Sequence, residues 1–139
     1  MSTERIVIVV GRSEELDLAL DALSDLELSV HVIPTVAEAE RALPGIHPPL
    51  VGAVLVGLDH SPTRGLDLIR SLRSRRALAT TPIAVWAPAN AAHLLADAYR
   101  AGASSGVLLV GAHEDAIRLA QMIHYWAVAN EPPVHEALA

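Results

Sequence analysis

The stretch that decides the fold is a run of eight apolar residues, Val51-Gly52-Ala53-Val54-Leu55-Val56-Gly57-Leu58. It lacks the alternation of apolar and polar residues that marks a strand with one face in solvent. A continuous apolar run of this length is typical of a strand buried on both faces of a parallel sheet. After a short polar loop, Leu66, Ile69 and Leu72 follow with helical spacing. The stretch therefore predicts a central strand followed by a crossover helix.

Similar apolar runs occur along the whole chain, and the predicted strands are residues 6–10, 28–33, 51–58, 82–87 and 106–110. Ser13 and Thr35 are predicted to be the N-caps of the first two helices. The fourth helix is predicted to end at Gly102 and the fifth to span residues 113–128. Five alternations of strand and helix with right-handed crossovers predict an α/β, flavodoxin-like doubly wound three-layer sandwich. Its five-stranded parallel sheet is expected in the order 2-1-3-4-5, with a ligand crevice where strands one and three end.

The composition bounds the class of protein. With 139 residues, 52% apolar and 19% charged, the chain is predicted to form one domain over residues 1–139, with residues 129–139 as a C-terminal tail. A formal net charge of −6 argues against direct contact with nucleic acid. The absence of Cys and Lys excludes thiolate metal sites and Schiff-base lysines. Because no apolar window could cross a membrane and none resembles a signal peptide, we expect a cytoplasmic protein without membrane contact.

Several segments of the chain share one pattern. They are residues 58–73 (LDHSPTRGLDLIRSLR), 81–85 (TPIAV) and 98–105 (AYRAGASS). On these segments the chain resembles a receiver domain of two-component response regulators, and the resemblance covers nearly its whole length. The ending, residues 125–133 (YWAVANEPP), is similar to that of the phytochrome-associated single-domain response regulators. The resemblance implies a stand-alone signalling protein of a two-component, or phosphorelay, pathway.

The resemblance also implies a phosphorylation site, whose residues can be checked one by one. The acidic pair that holds Mg²⁺ in the family falls on Val10 and Gly11, and the phosphoacceptor aspartate falls on Gly57. The hydroxyl after the fourth strand falls on Ala87, and the lysine after the fifth falls on Leu109. These side chains cannot supply the charges that phosphoryl transfer needs. We therefore predict a degenerate pseudo-receiver with no metal, no cofactor, no catalytic residue and no enzymatic activity.

Two charged residues lie on loops at the same crevice. We expect Arg12 and Asp59 to form an ion pair that locks the site, and the alternative is that both face water. Asp59 is a poor relocated phosphoacceptor, since its metal ligands would still be missing. A crevice without acids and lysine is less polar than usual, so a small-molecule sensor that binds there is the alternative function.

The fifth predicted helix carries an apolar arc wider than contact with one sheet needs. We interpret the excess as a partner surface made of Ile117, Met122, Tyr125 and Trp126, with Tyr99 from the fourth helix. The alternative is a helix that the tail or the fourth helix buries. In the receiver family the face of helix four, strand five and helix five serves dimerisation, so the resemblance implies a homodimer through this face. A sensor histidine kinase or another response regulator is the other expected partner.

Overall fold

The computed structural model of the protein describes residues 6–46, 50–111 and 113–129. Its strands are β1 (Ile6–Val10), β2 (Val30–Ile33), β3 (Val51–Gly57), β4 (Ile83–Pro88) and β5 (Ser105–Leu109). Its helices are α1 (Glu14–Ala22), α2 (Val36–Ala42), α3 (Pro62–Ser74), α4 (His93–Ala101) and α5 (His113–Ala129). Single turns of 3-10 helix lie at Leu43–Gly45, Arg76–Leu78 and Ala89–Ala91.

The predicted strands and helices are present, and their ends differ by a few residues. β2 begins at Val30 rather than at residue 28, because the amides of Leu28 and Val30 bond to carbonyls two residues earlier. α5 continues through Ala129, which was expected to be the first residue of the tail. The rest of the predicted tail, residues 130–139, lies outside the described residues.

Local signals fix the ends of three helices. Ser13 Oγ and Thr35 Oγ1 each accept a hydrogen bond from the amide three residues later, at 3.0 and 3.1 Å. Each bond satisfies an amide that has no partner within its own helix. α4 ends at Gly102, whose φ of +119° is a left-handed conformation that other residues rarely adopt. The sequence predictions of these three ends are confirmed.

The five strands form one parallel sheet in the order β2-β1-β3-β4-β5. This order confirms the predicted flavodoxin-like, doubly wound α/β fold. β3 pairs with β1 and β4 and is buried along its whole length. The chain moves from β1 outward to β2 and then crosses back to β3. The carboxyl ends of β1 and β3 therefore flank the topological switch point of the sheet.

The two faces of the sheet are covered by different helices. α1 and α5 cover one face, on which the sheet places Val7, Val9, Ala53, Leu55, Ala84 and Trp86. α2, α3 and α4 cover the other, on which it places Ile8, Val10, Val54, Val56, Ile83, Val85 and Ala87. The alternation is regular, so Gly57, two residues after Leu55, belongs to the face of α1 and α5. Within the described residues, no helix combines the length and apolar character needed to cross a membrane.

Arg73 fastens the end of α3 to neighbouring segments. Its guanidinium donates hydrogen bonds to the carbonyl oxygens of Gly102 (2.7 Å), Leu78 (3.0 Å) and Thr81, and to Ser104 Oγ (3.0 Å). Burial lowers the pKa of this guanidinium below its usual value. The planar group can serve several acceptors at once, which the single ammonium of a lysine does less well.

Candidate functional site

The carboxyl ends of β1, β3 and β4 meet at the switch point, where the sequence predicts a crevice. Val10 of β1 lies opposite Val56 of β3, which places Gly11 beside Gly57. Gly57 in turn pairs with Trp86 of β4. The structure therefore brings three of the predicted crevice residues together, next to a tryptophan.

The other two predicted crevice residues lie on the same edge of the sheet but are separated. Ala87 follows Trp86, and its side chain is fully buried on the face covered by α2, α3 and α4. Leu109 ends β5 and packs, half-buried, against the core on the opposite face. Glycine and aliphatic side chains carry no oxygen or nitrogen ligand. The five positions together thus offer no side-chain group that could hold a cation or accept a phosphoryl group.

The indole of Trp86 fills the space beside Gly11 and Gly57 on the face that α1 and α5 cover. Its side chain is only 1% exposed. A Cβ atom added to Gly57 would lie 2.4 Å from Cζ2 of the indole, and one added to Gly11 would lie 2.7 Å from the same atom. Carbon atoms do not approach that closely without displacing one another. Both glycines are therefore required for the ring to reach from β4 across β3 to the end of β1.

Sequence reasoning misses Trp86, because nothing in the strand pattern distinguishes it from the other apolar residues of β4. The signal is the coincidence of glycines at the ends of two strands with a large aromatic residue on a third. The sequence alone does not show that these residues are neighbours, because their proximity depends on the strand register that pairs Gly57 with Trp86.

Asp59 binds the indole rather than Arg12. Asp59 Oδ2 accepts a long hydrogen bond of 3.4 Å from Trp86 Nε1 and lies 3.9 Å from His60 Nε2. His60 Nε2 lies 3.0 Å from the carbonyl oxygen of Arg12. Within the described residues, the guanidinium of Arg12 makes neither an ion pair nor a hydrogen bond, so the predicted locking pair is not formed. Instead, His60 links the two loops through the main chain of Arg12.

Two cavities open at this edge of the sheet, and Asp59 lines both. The β1–β3 cavity, of about 260 Å³, has a floor of Val10, Gly11, Pro34, Val36 and Gly57 and a rim of Arg12, Thr35, Asp59, His60 and Ser61. The β4–β5 cavity, of about 440 Å³, is lined among others by Ser13, Glu15, Asp59, Asn90, Leu109 and Asp115. The predicted single crevice is therefore divided, with Leu109 separated from the two glycines. Ala87 lines neither cavity.

Asp115 is one of the residues that line the β4–β5 cavity. This buried carboxylate accepts hydrogen bonds from the amides of Val110 at 2.8 Å and Gly111 at 2.9 Å. It thereby holds the loop that leads into α5 and is not free to bind a ligand. No group of three or more ligating side chains with the geometry for a metal ion occurs among the residues that the structure describes.

Three of the five residues predicted for the partner surface are well exposed. Tyr99 is 50%, Ile117 57% and Tyr125 61% exposed. Met122 is only 7% exposed and packs in the core that α5 forms with the sheet and α1. It is therefore not the predicted surface anchor. Trp126 is half-buried against the same core and meets the ring of Tyr125 edge-on, with centroids 5.0 Å apart. The apolar arc is wide because α5 packs on α1 as well as on the sheet.

A groove lies beside these aromatic residues, between β5 and α5. Its volume is about 540 Å³, and Ser105, Val107, Arg118 and Tyr125 are among the residues that line it. β5 is the last strand of the sheet, and in the described part of the chain only β4 pairs with it. The face formed by α4, β5 and α5 thus combines an unpaired strand edge with exposed aromatic side chains.

Comparison with known proteins finds matches of structure but not of sequence. No protein-family model and no curated protein matches the sequence. The structure is similar to the response regulator from Hahella chejuensis, with a TM-score of 0.76, 18% identity and coverage of 94% of this chain and 100% of that chain. It is also similar to the Mn(2+)-bound form of response regulator Rcp1 (TM-score 0.73, 12% identity, 94% and 99% covered) and to the phosphorylated cyanobacterial phytochrome response regulator RcpA (0.73, 12%, 93% and 97%). The chain therefore has the fold of response regulator receiver domains.

Proposed function

We propose that this chain is a receiver-like protein of a two-component pathway that accepts no phosphoryl group and acts by binding other proteins. The receiver fold supports a role in a two-component pathway. The observation that carries the loss of phosphoryl acceptance is the indole of Trp86, which lies against Gly57. If the acceptor position of a receiver falls on Gly57, its carboxylate is missing and the indole occupies the space beside it.

The groups around Gly57 support the same proposal. Asp59 is the neighbouring carboxylate, and Trp86 Nε1 already donates to it. Arg12 is the neighbouring cation, and the chain has no lysine. Phosphoryl transfer depends almost entirely on metal ligands and cations positioned around the transferred group, and losing one charge clamp can cost about 10³-fold in rate or more. We propose on the same grounds that the protein catalyses no reaction.

Treatment with acetyl phosphate and Mg²⁺ tests the loss of phosphoryl acceptance. We expect the intact mass to stay unchanged, while a phosphorylatable receiver domain treated in parallel gains one phosphoryl group. Beryllofluoride should likewise leave the oligomeric state unchanged in light scattering. An aspartyl phosphate on Asp59, located by peptide mapping, would refute the proposal.

We also propose a homodimer through the face formed by α4, β5 and α5. Tyr99, Ile117 and Tyr125 support it, because such exposed aromatic and aliphatic side chains are typical of interface cores. Light scattering should show a concentration-dependent dimer that Ile117→Glu weakens. Leu18→Glu is the matched control, since Leu18 on α1 is 51% exposed away from this face. A wild-type chain that is monomeric at every concentration would contradict the proposal.

The proposed partners follow from the proposed pathway. They are a sensor histidine kinase or a second response regulator. A cytoplasmic location is proposed on the same grounds. Membership of the phytochrome-associated subfamily is proposed on the ending of the chain, of which residues 130–133 lie outside the described residues. Co-purification with a sensor kinase, lost in Ile117→Glu, would support these partners.

Small-molecule sensing is the second candidate function. The observation that favours it is the β1–β3 cavity, which keeps Val10, Gly11 and Gly57 at its floor beside the buried indole. Ligand-dependent thermal stabilisation at constant protein concentration would support sensing, whereas stabilisation that grows with protein concentration would indicate self-association.

A further inference from the structure

The β1–β3 cavity combines an apolar floor with a polar rim. At the floor, Val10 is fully buried and Val36 is 8% exposed, and Pro34 and the two glycines complete it. At the rim, polar side chains arrive from the loops that follow β1, β2 and β3. Convergence of a few polar groups over an apolar floor is the usual construction of a small-molecule site. The receiver-like role proposed above uses none of these rim groups.

Three hydrogen-bond donors at the rim have no acceptor among the described residues. The guanidinium of Arg12 is exposed and makes no ion pair or hydrogen bond. Ser61 is the N-cap of α3, yet its hydroxyl makes no capping bond. Thr35 Oγ1 accepts the amide of Glu38, which leaves the hydroxyl proton of Thr35 free to donate. Three free donors, one of them cationic, are suited to the oxygens of an anion.

The size of the cavity limits the ligand. The β1–β3 cavity, at about 260 Å³, lies below the roughly 300 to 1,000 Å³ of sites for drug-sized ligands, so it admits only a small molecule. Most of the ligand's atoms must be apolar carbon, because the floor offers no side-chain partner for polar groups.

The charge at the rim limits the ligand further. Asp59 stands at the boundary of the cavity with its carboxylate about one-fifth exposed, and His60 lies beside it. A second negative charge on the ligand would be repelled by Asp59 and would meet no further arginine or lysine in the lining. A single negative charge can pair with Arg12 at the opposite loop.

We propose that the β1–β3 cavity binds a small monocarboxylate with a short apolar tail. Its carboxylate accepts hydrogen bonds from Arg12 and Ser61, and its apolar tail lies on Pro34 and Val36. This inference rests on the second candidate function, sensing, and is independent of whether the protein accepts a phosphoryl group.

Trp86 does not line the cavity but lies against two of its lining glycines, so its fluorescence reports occupancy indirectly. Its indole contacts the backbone positions of Gly11 and Gly57, which form the floor of the cavity. Trp126, the other tryptophan, lies on α5 and does not line this cavity. The variant Trp126→Phe therefore isolates the fluorescence of Trp86.

The test uses three probes on the 139-residue chain carrying Trp126→Phe: 3-methylbutanoate, the uncharged 3-methylbutanamide and inorganic phosphate. Thermal shift and Trp86 fluorescence are recorded with Arg12 intact and in Arg12→Gln. Arg76→Gln is the matched control, since Arg76 is an exposed arginine remote from the cavity lining. We expect 3-methylbutanoate to bind at least about tenfold more tightly than the amide or phosphate, and Arg12→Gln to raise its Kd about tenfold or more. Arg76→Gln should leave the Kd unchanged.

Each other outcome overturns a defined part of the inference. Equal binding of acid and amide, insensitive to Arg12→Gln, would overturn the carboxylate class and leave sensing intact. Tighter binding of phosphate than of the acid would replace the monocarboxylate by a phosphate-type anion. No response to any probe in the millimolar range would overturn the proposed monocarboxylate.

Discussion

Substitution of Gly57 by alanine tests whether the indole of Trp86 packs against Gly57. The added Cβ would lie 2.4, 2.6 and 2.9 Å from Cζ2, Cε2 and Nε1 of the indole. Ordinary contacts between such atoms begin near 3.4 Å, so the ring must move by about 1 Å. The ring already lies close to Gly11, where a Cβ atom would be only 2.7 Å from Cζ2, so little room remains toward β1. The backbone cannot yield either, since Gly57 and Trp86 are paired residues inside the sheet.

The expected cost is about 3 kcal/mol. Overpacking a tight core typically costs about 1 to 3 kcal/mol. If the ring is expelled instead, the protein loses much of the burial that makes removal of a core tryptophan cost about 3 to 5 kcal/mol. Urea unfolding followed by circular dichroism measures the change, and the emission of Trp86 should shift to the red in a Trp126→Phe background.

A double-mutant cycle makes the test specific. In a Trp86→Leu background the additional cost of Gly57→Ala should fall below about 1 kcal/mol, because the clashing atoms are gone. Gly45→Ala serves as the control, since no atom lies within 4 Å of its Cβ position, and its effect should be within about 1 kcal/mol of zero. Wild-type stability and emission in Gly57→Ala, or equal costs in both backgrounds, would refute the placement of the indole.

Three further outcomes are expected. Arg73→Lys should lower the free energy of unfolding by about 2 kcal/mol in urea titration, because a compact ammonium cannot reach all the acceptors that the three nitrogens of the guanidinium bind. An unchanged midpoint would argue against this role. Asp115→Ala should cost about 2 to 3 kcal/mol and speed hydrogen exchange at the amide of Val110, and slow exchange there would contradict the capping of this loop. Acrylamide should quench Trp126 more strongly than Trp86, as single-tryptophan variants would show, and equal quenching would mean that the indole of Trp86 is accessible.

The architecture follows from patterns that are local in sequence. The apolar run at residues 51–58 predicts a strand covered on both faces, and the structure has β3 at the centre of the sheet. Ser13 and Thr35 cap helices wherever those helices are placed, and Gly102 ends one by its own backbone preference. These effects act within a few residues of the chain, so the sequence alone is enough to predict them.

Local patterns do not predict which residues of α5 are exposed. Helical spacing places Met122 on an apolar arc, but it does not say which neighbouring element covers that arc. The structure gives Met122 to the core shared with α1 and leaves Ile117 and Tyr125 exposed. Exposure of a residue on α5 depends on both the sheet and α1, and the sequence pattern predicts only the contact with the sheet.

The sequence by itself determined the doubly wound sheet, its strand order and the glycine and aliphatic residues at the ends of the strands. Only the tertiary structure decided what packs against them. Gly57 pairs with Trp86, so the indole packs against Gly11 and Gly57 at the ends of β1 and β3. Asp59 accepts a hydrogen bond from this indole and makes no ion pair with Arg12. A cavity remains between the ends of β1 and β3. These contacts join residues up to 75 positions apart in the chain, as for Gly11 and Trp86. Their distances depend on strand register and side-chain volume, which no local pattern encodes.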